Sequence, residues 1–196
     1  MIPFSDYKTA TNAAYKLISE LDQFSLSTNV FLIAEQLENC RVFTYGQTVF
    51  LYGFPLEDLL AVSEYGFSIK QDNKRIIYYN EKMPLACIRF TLAHEIGHAV
   101  LKHQNEEDPA AEREANCFAR NLLCPLPVAI ALEVETEDDY ISVFNVSAQM
   151  ARATVGQRSS DTYYIDKAYS EAIGDKLYAY NMGFESFSAF ERYVYA

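Results

Sequence analysis

The chain has 196 residues, 50% of them hydrophobic and 22% charged, which is ordinary globular composition. That length is enough to bury a core without disulfide or metal staples. Sixteen Lys and Arg against 27 Asp and Glu leave a net charge of −11. This argues against a general nucleic-acid surface, which needs basic side chains to neutralise phosphates, and suits a basic partner. Cys40, Cys87, Cys117 and Cys124 form no CxxC pair. The opening stretch MIPFSDYKTA shows no basic run followed by an apolar one. Together these predict reduced thiols in a cytoplasmic protein. No run approaches the roughly 18 apolar residues of a membrane span.

In chain order, Ala13, Leu17 and Leu21 recur at helical spacing, so Ser5 to Phe24 reads as a helix. A second helix fits Thr28 to Leu37, with Ser27 or Thr28 as its cap. CRVFTYGQTVFLYG is β-branched and aromatic and reads as extended. Pro55 opens a short helix, PLEDLLAV, and YGFSIKQDNKRIIYYN reads as a hairpin turning at Asp72 and Asn73. A long helix is predicted over Leu85–Gln104, entered at Pro84. Another covers Pro109–Leu123, capped by Asp108 and stopped by Pro125. Glu137–Phe144 and Ser147–Gln157 form a helix pair. QRSSD marks a boundary near residue 160, dividing a domain over 1–160 from an aromatic-rich, helical C-terminal segment over 161–196.

Two segments invite other readings. VFNVSAQMARATVGQR has the outline of a helix-turn-helix corner. Its only basic residues are Arg152 and Arg158, and Glu137, Asp138 and Asp139 precede it, so it is expected to pack on the core rather than read DNA. Phe184, Phe187, Phe190 and Tyr193 recur every third residue, a stripe that suits a core face or a docking face.

The chemistry concentrates in FTLAHEIGHAVLKH, which holds all three histidines of the chain: His94, His98 and His103. His94 and His98 are one helical turn apart and share a face. Two imidazoles so placed can hold Zn²⁺ at about 2.0–2.1 Å. Glu95 between them completes an HExxH motif, whose Glu serves as general base toward water at the metal. The pentapeptide alone also fits two surface histidines. Gly97 within a helix costs about 1 kcal/mol against Ala, which calls for a close approach there.

A catalytic zinc takes three protein ligands. A third histidine in the metzincin pattern would need Gly at 101 and His at 104, where Leu101 and Gln104 stand. His103, about 140° round a continuing helix from His98, is expected to point elsewhere and to suit the helix C-terminal dipole. The better candidate is Glu112, which shares a face with Ala115, Asn116 and Ala119. The small alanines would let the two helices approach. Glu114 is the competitor, expected on the solvent side. Asn116, one turn after Glu112, can accept the N–H of a ligand histidine.

RIIYYNEKMPLACIRFTLAHEIGHAVLKH followed by EREANCFARNLLCP, over about residues 75–125, resembles the ImmA/IrrE family of zinc metallo-endopeptidases. The shared positions run from Arg89 through His94, Glu95, Gly97 and His98, then Glu112, Glu114, Ala115, Asn116, Phe118, Ala119, Leu122, Leu123 and Pro125. The resemblance implies a gluzincin-like site, with His94, His98 and Glu112 on zinc and Glu95 as base. It implies an α+β, zincin-like fold with a small, mainly antiparallel sheet packed on helices. The strand Arg75–Asn80 would border the cleft and pair with extended substrate, or serve only as sheet core. Family members cut helix-turn-helix repressors encoded nearby, in mobile elements such as phages or in stress responses. A non-catalytic zincin-fold regulator that binds a repressor or DNA is the alternative. Retention of Glu95 beside both histidines disfavours it. An electrophilic tyrosine is usual in zinc proteases, and sequence does not choose among 15.

Overall fold

The computed structural model describes residues 6–72, 74–104 and 108–195. Helix α1 (Tyr7–Glu20) starts behind Asp6, whose carboxylate accepts from the Thr9 N–H; the proposed start at Ser5 lies outside the described residues. Helix α2 (Val30–Gln36) is capped by Asn29, not by Ser27 or Thr28. The Thr28 hydroxyl is committed elsewhere, donating 3.0 Å to the Leu122 carbonyl.

The stretch predicted as extended from Cys40 to Gly53 divides in two. Strand β1 (Cys40–Thr44) gives way to helix α3 (Tyr45–Tyr52). Thr44 and Gln47 form a reciprocal capping box, and Gly53 ends the helix at φ 71°. Caps at both ends thus override the β-rich composition between them. Helix α4 (Leu56–Val62) follows Pro55. Strands β2 (Gly66–Gln71) and β3 (Lys74–Tyr79) make the expected hairpin, with Asp72 at φ 54°; Asn73 lies outside the described residues.

The remaining helices are α5 (Leu85–Val100), α6 (Pro109–Leu123), α7 (Leu126–Ala131), α8 (Glu137–Phe144), α9 (Ala148–Asp161), α10 (Lys167–Asn181) and α11 (Phe187–Val194). Helix α7 is not anticipated by the sequence, where Pro125 reads as a stop. Here Pro125 is its N-cap and Pro127 sits in its first turn, where a missing N–H costs nothing.

The protein is α+β, with a three-stranded mixed sheet in the order β1-β3-β2. Strands β2 and β3 run antiparallel, with Ser68 opposite Ile77, and β1 and β3 run parallel, with Val42 opposite Ile77. The parallel pair follows from α3 and α4, which carry the chain away from β1 before it returns. Strand β3 is therefore central, with both edges paired. The expectation that Arg75–Asn80 offers an edge to substrate is corrected: the edge on that side is β2.

Helix α5 crosses the middle of the core, with Leu92, Ala93 and Ile96 fully buried. A Cβ on Gly97 would sit 3.3 Å from the Ala115 Cα and 3.0 Å from Phe118 Cδ1. That glycine is thus the contact that lets α5 and α6 lie backbone to backbone. Helix α1 covers the far side of α6, where the Tyr15 hydroxyl donates 2.7 Å to Asn121 Oδ1. Buried Arg89 ties α5 to the end of α8, donating to the Phe144 carbonyl at 2.9 Å and to the Thr28 carbonyl at 3.2 Å.

The α8–α9 corner sends Phe144, Met150 and Ala151 into this core. Arg152 pairs with Glu137 at 3.3 Å, and Arg158 donates to the Tyr140 hydroxyl at 3.1 Å. Helix α10 adds Ile173 and Leu177 to the same apolar cluster. The aromatic stripe packs largely on itself, with Phe184 5.4 Å from Phe190 between ring centroids. The four cysteines are free thiols. Among the described residues no helix is long and apolar enough to cross a membrane.

Helix α5 stops at Val100, short of the predicted Gln104. Lys102 adopts φ 58°, and two backbone bonds close the end: Lys102 N–H to Ala99 O at 3.2 Å and His103 N–H to His98 O at 3.1 Å. These are the two bonds of a Schellman motif, and they turn the chain back over the last helical turn.

Candidate metal centre

Two adjacent helices bring the candidate ligands together. His94 Nε2 and His98 Nε2 lie 3.0 Å apart. Glu112 Oε2 is 3.5 Å from His94 Nε2, and its Oε1 is 3.1 Å from His98 Nε2. All three ligand atoms fall within 4.8 Å of one another. Donors of a tetrahedral zinc sit about 3.3 Å apart at the usual bond lengths, so the observed separations fit such an ion. The donor set fits as well: two imidazoles and a carboxylate suit zinc.

Both histidines offer Nε2 to this point and turn Nδ1 outward. Asn116 Oδ1 is 3.1 Å from His94 Nδ1. His98 Nδ1 meets His103 Nδ1 at 3.0 Å, and His103 Nε2 lies 3.2 Å from Glu114 Oε2. This corrects two expectations. His103 does not point away, because it is not on the helix at all: the turn at Lys102 folds it back against His98. Glu114 does not face solvent; its side chain is 19% exposed, and its Oε1 accepts the Asp6 N–H at 2.7 Å.

Burial and the neighbouring His94 push His98 down to about 3, so this ring is neutral at physiological pH. Burial also works against a charge on His94. There the hydrogen bond to Glu112 and the charge of Glu95 prevail, and the pKa rises above its ordinary value. Hydrogen bonding from His94 holds Glu112 below the usual carboxylate range.

Glu95 is 7% exposed. The Ser68 hydroxyl donates to its Oε2 at 2.5 Å, and buried Arg75 donates from Nη1 to Ser68 Oγ at 2.7 Å. Sequence reasoning missed both residues. The only signal was a serine among Phe67 and Ile69, and an arginine opening the next strand.

A cleft of about 1290 Å³ runs past His94, Glu95 and Glu112. Gly66, Phe67 and Ser68 of β2 line one wall, and Arg113, Asn116 and Cys117 of α6 the other. Its far end reaches the buried ion pair of Arg120 with Asp161, Nη2 to Oδ1 at 3.0 Å. Of the tyrosines, Tyr7, Tyr65 and Tyr164 line this cleft.

A small α+β fold that sets an HExxH helix against a glutamate-bearing helix, beneath an edge strand, defines a zincin-like domain. Residues 56–155, just over half of the chain, match the peptidase M78 family model, described as an IrrE N-terminal-like domain. The chain belongs to that family, which is one of metallopeptidases. A comparison with curated proteins found no match.

Proposed function

We propose that the protein is a zinc-dependent endopeptidase acting in the cytoplasm on one specific protein, with His94, His98 and Glu112 holding the metal. One observation carries this reading: three donor atoms converge within 4.8 Å beside a cleft that Glu95 also lines. Bound there, the cation would supply Lewis acidity, polarising a peptide carbonyl and making water more acidic.

The chain's own residues do the rest. The outer edge of β2 presents backbone N–H and C=O groups to an extended substrate. Ser68 fixes Oε2 of Glu95. Glu95 takes a proton from the attacking water on its carboxylate and delivers it to the departing amine as the C–N bond breaks. Asn116 accepts from His94 Nδ1 and keeps that ring aimed at the metal. A helix-turn-helix repressor encoded beside the gene is the proposed substrate, on the strength of the family resemblance. The strongly acidic net charge suits a basic, DNA-binding partner.

The test incubates the zinc-loaded protein with that purified repressor. The parent should cut it, and Glu95→Gln should retain zinc while cutting about 10²–10⁴-fold more slowly. Equal cleavage by both proteins, or none by either, would contradict the proposal.

A further inference from the structure

Two candidate ligand histidines with the same job have different backing. Behind His94 stands one neutral amide, Asn116. Behind His98 stands a chain of three groups: His98 Nδ1 to His103 Nδ1 at 3.0 Å, His103 Nε2 to Glu114 Oε2 at 3.2 Å, and Glu114 Oε1 to the Asp6 N–H at 2.7 Å. The side chains of His98, His103 and Glu114 are 1%, 9% and 19% exposed, so water competes little for these bonds.

We infer that His103 and Glu114 form a relay that locks His98 in the tautomer and orientation needed to bind a metal through Nε2. This rests on the metal-site reading above. The directions of the hydrogen bonds follow from what each end is able to do. A backbone N–H only donates, so Glu114 accepts at Oε1. An ionised carboxylate only accepts, so Glu114 Oε2 must receive a proton from His103 Nε2. A neutral His103 with its proton on Nε2 has a lone pair on Nδ1. His98 must then carry its proton on Nδ1; Glu112 takes its hydrogen bond from His94 instead, and the His98 Nε2 lone pair stays free for a cation. Each step selects the next, because the hydrogen bond at one ring nitrogen sets what the other does.

The backbone supplies the geometry. The Schellman turn at Lys102 brings His103 over the last turn of α5, at the expense of a non-glycine residue at positive φ. Buried Arg75 donates to the His103 carbonyl at 3.3 Å, which pins that turn to the sheet. Glu114 reaches from α6 on the opposite side, held by the first backbone amide before α1. Three separate elements thus hold His103, whose Nδ1 meets the His98 ring. The segment also accounts for residues that the hydrolytic step does not use: His103 and Glu114 are positioning residues, in contact with a ligand and not with substrate.

The test measures zinc affinity by competition with a chromophoric chelator, for the parent, His98→Ala, His103→Leu, His103→Asn and Glu114→Gln. His103→Leu should bind zinc about 10–100-fold more weakly. His103→Asn should recover most of that loss, because Asn Oδ1 takes the place of His Nδ1 as acceptor. Glu114→Gln should fall between the two. Long-range ¹H–¹⁵N NMR on the metal-free protein reads the tautomers directly, since only three imidazoles are present. His98 should show its proton on Nδ1 in the parent and shift toward Nε2 in His103→Leu.

The relay is overturned if His103→Leu binds zinc like the parent, if His103→Asn is no better than His103→Leu, or if parent His98 carries its proton on Nε2. Should His103→Leu fail to fold, Glu114→Gln decides, and unchanged zinc affinity in it overturns the relay. Failure of the metal site itself looks different. Then His98→Ala binds zinc no worse than the parent, while the tautomer measurement still stands on its own.

Discussion

The two walls of the cleft are built on opposite terms. The α5–α6 wall is interior: Leu92, Ile96, Ala115, Phe118 and Ala119 are wholly buried, and Gly97 lets the helix backbones touch. The outer face of α3, α4 and the turn into β2, from which Val62 and Tyr65 reach the cleft, is the reverse. It leaves Phe50 87%, Val62 64% and Tyr65 51% exposed, although these side chains are as apolar as those inside. Packing therefore fixes the geometry of the candidate ligands between α5 and α6, while the exposed rings of α3, α4 and the turn into β2 contribute little to holding the fold, in contrast to Tyr45 and Leu59 of the same helices, which are buried.

The sharpest way to break that contrast is to remove a ring from each wall. Phe118→Ala should cost about 3–5 kcal/mol in unfolding free energy, read from urea denaturation of the metal-free protein, and it should loosen the metal site with it. Gly97→Val comes next. Its added carbons press on the Ala115 backbone and Phe118, so a loss of about 1–3 kcal/mol is expected. Zinc affinity should drop further than Tm alone would suggest, because α5 and α6 are pushed apart.

A pH series probes the ligand wall without mutation. His94 is held above its ordinary value of 6.5, so zinc must displace a proton from this ring below its folded pKa. Apparent zinc affinity should rise about tenfold per pH unit through that range, about 1.4 kcal/mol, and level off once the ring is neutral. Chelator competition at stepped pH checks this, and a flat profile would contradict it. Smallest of all, Phe50→Ser on the exposed wall should move stability by no more than about 0.5 kcal/mol, checked by the same denaturation.

The contrast also explains what sequence was able to reveal. Helix α6 was legible to the residue, because Asp108, Pro109 and Pro125 mark its ends with chemistry that acts locally. The pairing of His94 with His98 follows from helical periodicity, and the approach of α6 follows from its alanines. The other wall misled: the aromatic and β-branched run after Thr44 reads as a strand until the Thr44–Gln47 capping box is noticed. Glu114 was misjudged because its partners, His103 and the Asp6 N–H, come from other elements, and His103 for a different reason. A helical wheel assumes that the helix continues, and Lys102 gives no sign of the left-handed turn that a glycine would have announced. The central place of β3, and the Arg75–Ser68–Glu95 contact that depends on it, come from strand order, which no local pattern encodes.

The most direct test of the account is X-ray absorption of the zinc-loaded protein. Two imidazole nitrogens and oxygen donors at about 2.0–2.1 Å are predicted, with one nitrogen scatterer lost in His98→Ala. Sulfur in the coordination shell, or zinc bound with its spectrum unchanged by that substitution, would contradict it.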